Sequence, residues 1–176
     1  MDNYNFRLFL KINKLIGHNK WLDVFGSSGA EWVIFGAFGW YIVASLINGL
    51  PNKQNAIMPI LFFGFAWVLG WFVSLVIGLI VKEMRPHITH PEIKIMYKPL
   101  MSWKSFPSDH ALTVFLLFFL GLVFSLPFAW ALLPLALWVC WGRVYAGFHY
   151  PFDIVGGLSL AGFISVFVYY LYLIIF

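Results

Sequence analysis

Five long apolar stretches, separated by short polar segments, dominate the pattern of hydrophobic and polar positions along this chain. They cover residues 31–48, 56–81, 111–126, 128–142 and 154–176. The hydrocarbon core of a bilayer takes about 20 apolar residues per helix. The strands of a membrane barrel alternate in polarity instead, and these stretches do not. The pattern therefore predicts an all-α fold, a polytopic membrane helical bundle with about five transmembrane helices.

The N-terminal segment, residues 4–21, is too polar to span a membrane. Arg7, Lys11 and Lys14 follow helical spacing and form one basic stripe with apolar residues on its flanks. This combination is typical of an amphipathic helix that lies in the membrane interface. We therefore expect such a helix ahead of the transmembrane bundle.

Composition supports this division of the chain. The sequence is 62% hydrophobic and 10% charged, whereas soluble domains carry about 25% charged residues, so a soluble globular protein is excluded. We assign residues 1–29 to the interfacial helix and a linker, and residues 30–176 to the transmembrane domain, with one long polar loop at 82–109. The net charge of +4 fits anionic lipid as a partner and not nucleic acid, because so apolar a chain has no soluble basic face.

Tracing the predicted helices through a membrane brings the scattered polar residues to one face. The polar loop follows the second helix, the third helix leaves from that face, the fourth returns to it, and the last leaves from it again. The residues that converge there are Arg85, Ser108, His110, Arg143, His149 and Asp153. Ionisable residues at membrane depth are costly and by default mark function. We therefore expect one polar pocket at this face.

The residue types at this face suit a phosphate group. The third helix begins near Pro107, Ser108 and Asp109, and the free backbone N–H groups at a helix N-terminus bind anions. Arg85 and Arg143 can each offer a planar fork of donors to phosphate oxygens.

A histidine pair can supply the chemistry. His149 and Asp153 lie four residues apart, with Pro151 between them at the predicted start of the last helix. Asp153 can then reach one nitrogen of His149, fix its tautomer and make the other nitrogen a better nucleophile. His110 remains as the general acid for the leaving group. Further charged side chains that can supplement the phosphate site are Lys82, Glu83 and Asp109.

These fragments resemble the motifs of the phosphatidic acid phosphatase type 2 superfamily of membrane lipid phosphatases. That family carries a lysine, six residues and Arg-Pro; then Pro-Ser-Gly-His; then Ser-Arg, five residues, His, three residues and Asp. The corresponding residues of this chain are Arg85-Pro86, Pro107-Ser108-Asp109-His110, and Gly142-Arg143 through His149 to Asp153.

The resemblance implies a role for each matched residue. His149 would form a phosphohistidine intermediate, His110 would protonate the leaving group, and Asp153 would orient His149. The phosphate-binding residues that it implies are Arg85, Arg143 and Ser108. It implies no metal ion and no other cofactor.

Three positions depart from the family motifs. Gly78 stands where the first motif has its lysine, Asp109 where the second has glycine, and Gly142 where the third has serine. The sequences Glu-Met-Arg-Pro at 83–86 and Ser-Phe-Pro-Ser-Asp-His at 105–110 are similar to the bacterial undecaprenyl diphosphate phosphatase branch of the family. The resemblance therefore implies hydrolysis of undecaprenyl diphosphate to undecaprenyl phosphate.

Several alternatives stay open. The lipid substrate could instead be phosphatidate, phosphatidylglycerol phosphate or another lipid phosphate, and a non-enzymatic lipid-phosphate binder or flippase would need the same anion pocket. The His-x-x-His spacing of His87 and His90 could hold zinc, but it has no third ligand at a suitable spacing, which favours a solvated loop. The oligomeric state is open.

Charge and family resemblance disagree over which side of the membrane the site faces. Of 11 Lys and Arg residues, only Lys53 falls on the face opposite the site, and by the positive-inside rule this puts the site in the cytoplasm. The resembled family works from the outer face of the cell membrane. We expect a multi-pass cell-membrane protein whose site faces outside, because the interfacial helix can hold much of the positive charge at the headgroups.

Overall fold

The computed structural model describes residues 4–98 and 103–176, and within them the chain forms helices and no strands. Seven long helices and one short one follow each other, with a 3-10 turn at Ala129–Ala131. In chain order they are α1 (Tyr4–Asn13), α2 (Lys20–Glu31), α3 (Val33–Asn48), α4 (Lys53–Val81), α5 (Pro86–Thr89), α6 (Asp109–Val123), α7 (Leu132–Tyr145) and α8 (Pro151–Ile175).

Each of the five predicted apolar stretches overlaps a long helix. Helices α4 and α8 are long and apolar enough to cross a membrane, and α2 with α3, bent by 54° at their junction, are a third candidate. Helices α6 and α7 are apolar but shorter, at 15 and 14 residues. At about 1.5 Å per residue, each is shorter than a bilayer core of roughly 30 Å. The all-α membrane fold is confirmed, while the number of five crossings stays a prediction.

Helix α6 forms the centre of the bundle, and α3, α4, α7 and α8 pack around it. Leu112, Leu116 and Leu120 are fully buried along its length, as expected of a helix that is apolar on every side. Gly157 of α8 faces its first turn, and a Cβ there would lie 2.8 Å from the Cβ of Ala111. This close approach brings the starts of α6 and α8 together.

The N-terminal helix is shorter than predicted. Helix α1 ends at Asn13, and the chain then turns through Gly17, whose φ of 83° lies in the left-handed region that favours glycine. Asn19 then caps a new helix, because its side-chain oxygen accepts a hydrogen bond from the backbone N–H of Trp21 at 2.8 Å. Much of the segment assigned to a linker is therefore the 12-residue helix α2.

Helix α1 packs on the protein through its apolar face. Phe9 is fully buried and its ring meets that of Tyr150 at 5.6 Å between centroids, while Phe6 stacks on His90 at 4.1 Å. The basic stripe stays exposed: Arg7, Lys11 and Lys14. Helix α1 therefore covers the loops that follow α5 and precede α8, and its place in the membrane interface stays a prediction.

Candidate active site

Four segments meet at one end of the bundle: the turn after α4, the loop before α6, the end of α7 and the start of α8. Backbone hydrogen bonds join them. The N–H of Ser105 donates to the carbonyl of Glu83 at 2.8 Å, and the N–H of Ser108 donates to the carbonyl of Asp153 at 3.0 Å. The structure thus brings the polar residues predicted to converge into one site.

The turn between α7 and α8 sets the positions of Arg143 and His149. Gly147 lies in this turn with a φ of 86°, a conformation that favours glycine. A Cβ at this position would also lie 2.6 Å from the carbonyl oxygen of Lys94. The tight turn follows the end of α7 at Tyr145, so that Arg143 lies in the last turn of α7 and His149 lies just before α8 begins at Pro151.

The ring of His149 is buried and held from one side. Its Nδ1 lies 3.0 Å from the carbonyl oxygen of Ser105 and 3.4 Å from Oδ2 of Asp153. A carbonyl oxygen can only accept, so Nδ1 carries the proton and Nε2 is the nitrogen with the free lone pair. The sequence assigned this orientation to Asp153, whereas the structure places the Ser105 carbonyl closer to the ring.

Asp153 organises the residues that hold His149. The carboxylate is fully buried, and its Oδ2 accepts hydrogen bonds from the Ser105 hydroxyl at 2.6 Å and from the backbone N–H of Tyr150 at 2.8 Å. The second bond caps α8. Ser105 therefore joins the site through both its hydroxyl and its carbonyl. Sequence analysis gave this residue no role in the site, because a backbone carbonyl leaves no trace in a motif.

Burial lowers the pKa of His149 well below its ordinary value, and the nearby guanidinium groups of Arg143 and Arg85 lower it further. The ordinary value is about 6.5, so the imidazole stays neutral through the physiological range. A neutral imidazole with Nε2 free is the form that attacks phosphorus.

This protonation state can be observed directly. In protein with ¹⁵N-labelled histidine, we expect the signals of His149, assigned by their loss in His149→Gln, to show a neutral ring protonated at Nδ1 from pH 8 down to about 6. A charged ring at pH 6, or a proton on Nε2, would contradict the assigned geometry. The exposed His18 provides a reference signal in the same spectrum.

The two predicted arginines are both buried, with 7% of Arg85 and 6% of Arg143 exposed. Arg85 donates from Nε to the carbonyl of Lys104 at 3.0 Å, and Arg143 donates from Nη1 to the carbonyl of Ala30 at 3.0 Å. Within the part of the chain that the structure describes, Nη1 of Arg85 and Nε of Arg143 are buried without a hydrogen-bond partner. Buried guanidinium groups with unused donors suit a phosphate dianion.

A cavity of about 300 Å³ connects Arg85 and the two site histidines to the apolar faces of α3, α4 and α6. Its polar end is formed by Arg85, Asp109, His110 and His149. Its other walls are aromatic or aliphatic, and among them are Phe35, Phe38, Trp67 and Trp71. A ligand that joins a phosphate to a hydrocarbon chain matches both ends.

The other four residues predicted for the phosphate site differ in burial and in their contacts. Ser108 is buried and caps α6 by accepting a hydrogen bond from the N–H of Ala111 at 3.4 Å, so Pro107 precedes the cap and does not lie in the first helical turn. Asp109 accepts a hydrogen bond from the ammonium group of Lys104 at 2.6 Å. Glu83 is half-buried. Lys82 is exposed where α4 ends, and it does not line the cavity.

The two loop histidines belong to no group of three possible metal ligands in the described part of the chain. His90 stacks on Phe6 and lies 3.4 Å from a carboxylate oxygen of Glu92, while His87 is half-buried. Among the described residues, no three His, Cys, Asp or Glu side chains cluster as metal ligands would.

Comparison with known proteins agrees with this geometry. Residues 59–175, which contain the three motifs, match the PAP2 superfamily. The chain belongs to the PAP2 superfamily. It is 27% identical over 157 residues to the undecaprenyl-diphosphatase BcrC of Bacillus subtilis, with 89% of this chain and 78% of that protein covered. It is 32% identical over 170 residues to an undecaprenyl-diphosphatase of Sulfolobus acidocaldarius, with 92% and 75% covered.

The fold has a counterpart among solved structures. The crystal structure of LpxE from Aquifex aeolicus superposes with a TM-score of 0.71 at 21% identity, and the match covers 94% of each chain. Membership of the PAP2 superfamily and the phosphatase relatives make this membrane-embedded protein a hydrolase that acts on lipid phosphates.

Helix packing explains one departure from the PAP2 motifs. Gly142 replaces the serine of the third motif, and α2 crosses α7 directly over it. A Cβ on Gly142 would lie 2.9 Å from the carbonyl oxygen of Gly26 and closer still to backbone atoms of Gly29 and Ala30. Backbone cannot move aside as a flexible side chain can, so this position has no room for serine.

Restoring the family residue should therefore destabilise this protein. For Gly142→Ser we expect a loss of about 1–3 kcal/mol of folding free energy, because overpacking forces α2 away from α7. The thermal unfolding midpoint in detergent measures the effect. The matched control is Gly36→Ser on α3, where a Cβ meets none of the described residues within 4 Å. Equal midpoints for the two variants would show that α2 does not pack as described.

Proposed function

We propose that this protein hydrolyses undecaprenyl diphosphate to undecaprenyl phosphate and orthophosphate through a phosphohistidine at His149. The observation that carries the proposal is the contact of Nδ1 of the buried His149 with the Ser105 carbonyl, which leaves Nε2 free. In the same site, two guanidinium groups have donors without a partner among the described residues. The names of the two undecaprenyl-diphosphatase relatives support the choice of lipid.

The first half of the reaction forms the intermediate. Nε2 of His149 attacks the terminal phosphorus, and the bond from that phosphorus to the bridging oxygen breaks. The negative charge of the bound diphosphate favours a protonated His110 at the polar end of the cavity. His110 gives this proton to the departing oxygen of undecaprenyl phosphate. Arg85 and Arg143 stabilise the charge on the three equatorial oxygens of the transferred group.

The second half regenerates the enzyme. His110, now neutral, takes a proton from a water molecule as that water attacks the phosphorus of the phosphohistidine. The P–N bond breaks, orthophosphate leaves, and Nε2 of His149 recovers its lone pair. Ser105 and Asp153 hold the ring in the same tautomer throughout, so that no ring flip is needed between the two steps.

A phosphate-release panel tests the substrate assignment. Purified protein should release orthophosphate from undecaprenyl diphosphate with a higher kcat/KM than from phosphatidate, phosphatidylglycerol phosphate or a lipid A phosphate. Release from one of the other lipids without release from the prenyl diphosphate would overturn the substrate and leave the phosphatase assignment intact.

We also propose that all five apolar helices cross the cell membrane and that the site faces outside. An exposed cysteine introduced at Glu92, whose side chain is 69% exposed, reports the orientation in a Cys140→Ala background. We expect a membrane-impermeant maleimide to label it in intact cells. Labelling only after the membrane is permeabilised would place the site in the cytoplasm, as the distribution of positive charge indicates.

A further inference from the structure

Lys104 lies in the site although it belongs to none of the three PAP2 motifs. Its side chain is buried, with 8% exposed. Its ammonium group donates hydrogen bonds to the hydroxyl of Ser74 on α4 and to Oδ1 of Asp109 on α6, both at 2.6 Å. It thus ties the loop before α6 to two helices beside the cavity.

The stem of Lys104 occupies the place of the lysine that is missing from the first motif. That motif has its lysine at the position of Gly78, seven residues before Arg85. A Cβ on Gly78 would lie 2.7 Å from Cδ and 2.9 Å from Cγ of Lys104. Only a glycine at position 78 therefore leaves room for the stem of Lys104, which comes from the loop before α6.

The environment of Lys104 adjoins the substrate cavity. Lys104 and Trp103 line a small recess together with Trp71, Arg85 and Asp109, and these last three residues also line the cavity that holds His110 and His149. The carbonyl of Lys104 also accepts the hydrogen bond from Nε of Arg85. The lysine and the arginine are therefore fixed relative to each other.

The hydrogen-bonding capacity of Lys104 leaves one donor for a ligand. An ammonium group has three N–H donors, and among the described residues two of them are used, by Ser74 and Asp109. Asp109 stands where the family has glycine, and Gly78 stands where the family has lysine. The two departures are linked, because Lys104 lies against Gly78 and Asp109 is its counterion. Lys104 is buried in this pair, whereas the side chain of Asp109 is 31% exposed. An ion pair that served stability alone would be a weak reason to bury the lysine.

We propose that Lys104 is a phosphate-binding residue of this site, and that it replaces from the adjacent loop the lysine that the family places at the position of Gly78. Its third N–H donates to a phosphate oxygen of the lipid substrate next to the guanidinium of Arg85. This inference rests on the proposed function for the identity of the substrate, but phosphate binding can be measured without that substrate.

The test uses inorganic phosphate as the probe and calorimetric titration of the purified full chain in detergent. Lys104→Met keeps the stem over Gly78 and removes the charge, so we expect Kd for phosphate to rise about 10- to 100-fold and kcat/KM to fall by a similar factor. Lys53→Met, on the opposite face, is the matched control and should leave both values unchanged.

A second variant separates phosphate binding from a structural ion pair. Asp109→Gly removes the counterion and restores the family residue, so phosphate should bind at least as tightly as to the unaltered protein. If Lys104 serves only to hold Asp109, both variants should instead weaken phosphate binding equally. That result would overturn the proposal.

Relocating the lysine provides a rescue. Gly78→Lys alone should impair folding, because the new side chain meets the stem of Lys104. The double variant Gly78→Lys with Lys104→Ala should recover phosphate binding to within about threefold of the unaltered protein. Phosphate binding that depends on Lys104, without turnover of the prenyl diphosphate, would contradict the proposed function and leave this inference standing. An unchanged Kd for phosphate in Lys104→Met would contradict this inference and leave the proposed function standing.

Discussion

Replacing His149 with alanine is expected to lower the rate of phosphate release by on the order of 10⁴-fold or more. The Ser105 carbonyl holds Nδ1 of His149 and so leaves Nε2 free as a nucleophile. Among the described residues of the site, no other side chain has a nucleophilic nitrogen fixed in this way. Without Nε2 no phosphoenzyme can form, and direct attack by water lacks the activated nucleophile. Phosphate release from the preferred lipid in detergent micelles measures the effect.

The control for this variant is His18→Ala, since His18 is exposed in the turn after α1 and should leave the rate unchanged. Lipid binding should survive in His149→Ala, because the guanidinium groups remain. A rate within about tenfold of the unaltered protein would remove His149 from the mechanism. It would then leave His110 or a water molecule as the attacking group.

Replacing Arg85 with lysine should lower kcat/KM by about 10²- to 10³-fold, even though the charge is kept. The buried guanidinium has two roles. Its Nε donates to the Lys104 carbonyl, and its Nη1, which has no partner among the described residues, is available to the phosphate. A lysine ammonium cannot reproduce a planar fork that bonds backbone and phosphate together. The variant should therefore lose transition-state binding and also loosen the loop that positions Lys104 and Ser105.

The matched control is Arg7→Lys on the exposed side of α1, for which we expect kcat/KM within about twofold of the unaltered protein. The thermal unfolding midpoint of Arg85→Lys shows whether the fold is kept. Full activity in a folded Arg85→Lys protein would mean that Arg85 supplies only charge, and the phosphate would then have to be oriented by other groups.

The sequence predicted most of the fold because lipid imposes a simple rule on length and polarity. The stretches 56–81 and 154–176 correspond closely to α4 and α8, since the number of apolar residues alone sets such helices. Helix α2 was missed because Gly26, Ser27, Ser28 and Gly29 have low intrinsic helix propensity. Gly26 and Gly29 lie against Tyr145 and Trp138 of α7, and no local sequence pattern reveals that contact.

The site was predictable where side chains act at a fixed spacing along one element. His149 and Asp153 are such a pair, four residues apart. The contribution of Ser105 was not predictable, because its carbonyl carries no residue-specific signal. Lys104 was missed for another reason: it reaches Gly78 across the gap between two segments, and only the folded chain shows that one lysine can take the place of another.

Rapid-quench labelling tests the central claim, that His149 carries the transferred phosphate. Protein mixed with a lipid substrate labelled with ³²P at its terminal phosphate and quenched in alkali should hold an acid-labile, alkali-stable label on the peptide that contains His149. The label should be absent from His149→Ala. In His110→Ala it should form at a much lower rate, because the leaving group is no longer protonated. Turnover by the unaltered protein with no label on His149 at any quench time, or with the label on another residue, would contradict the account.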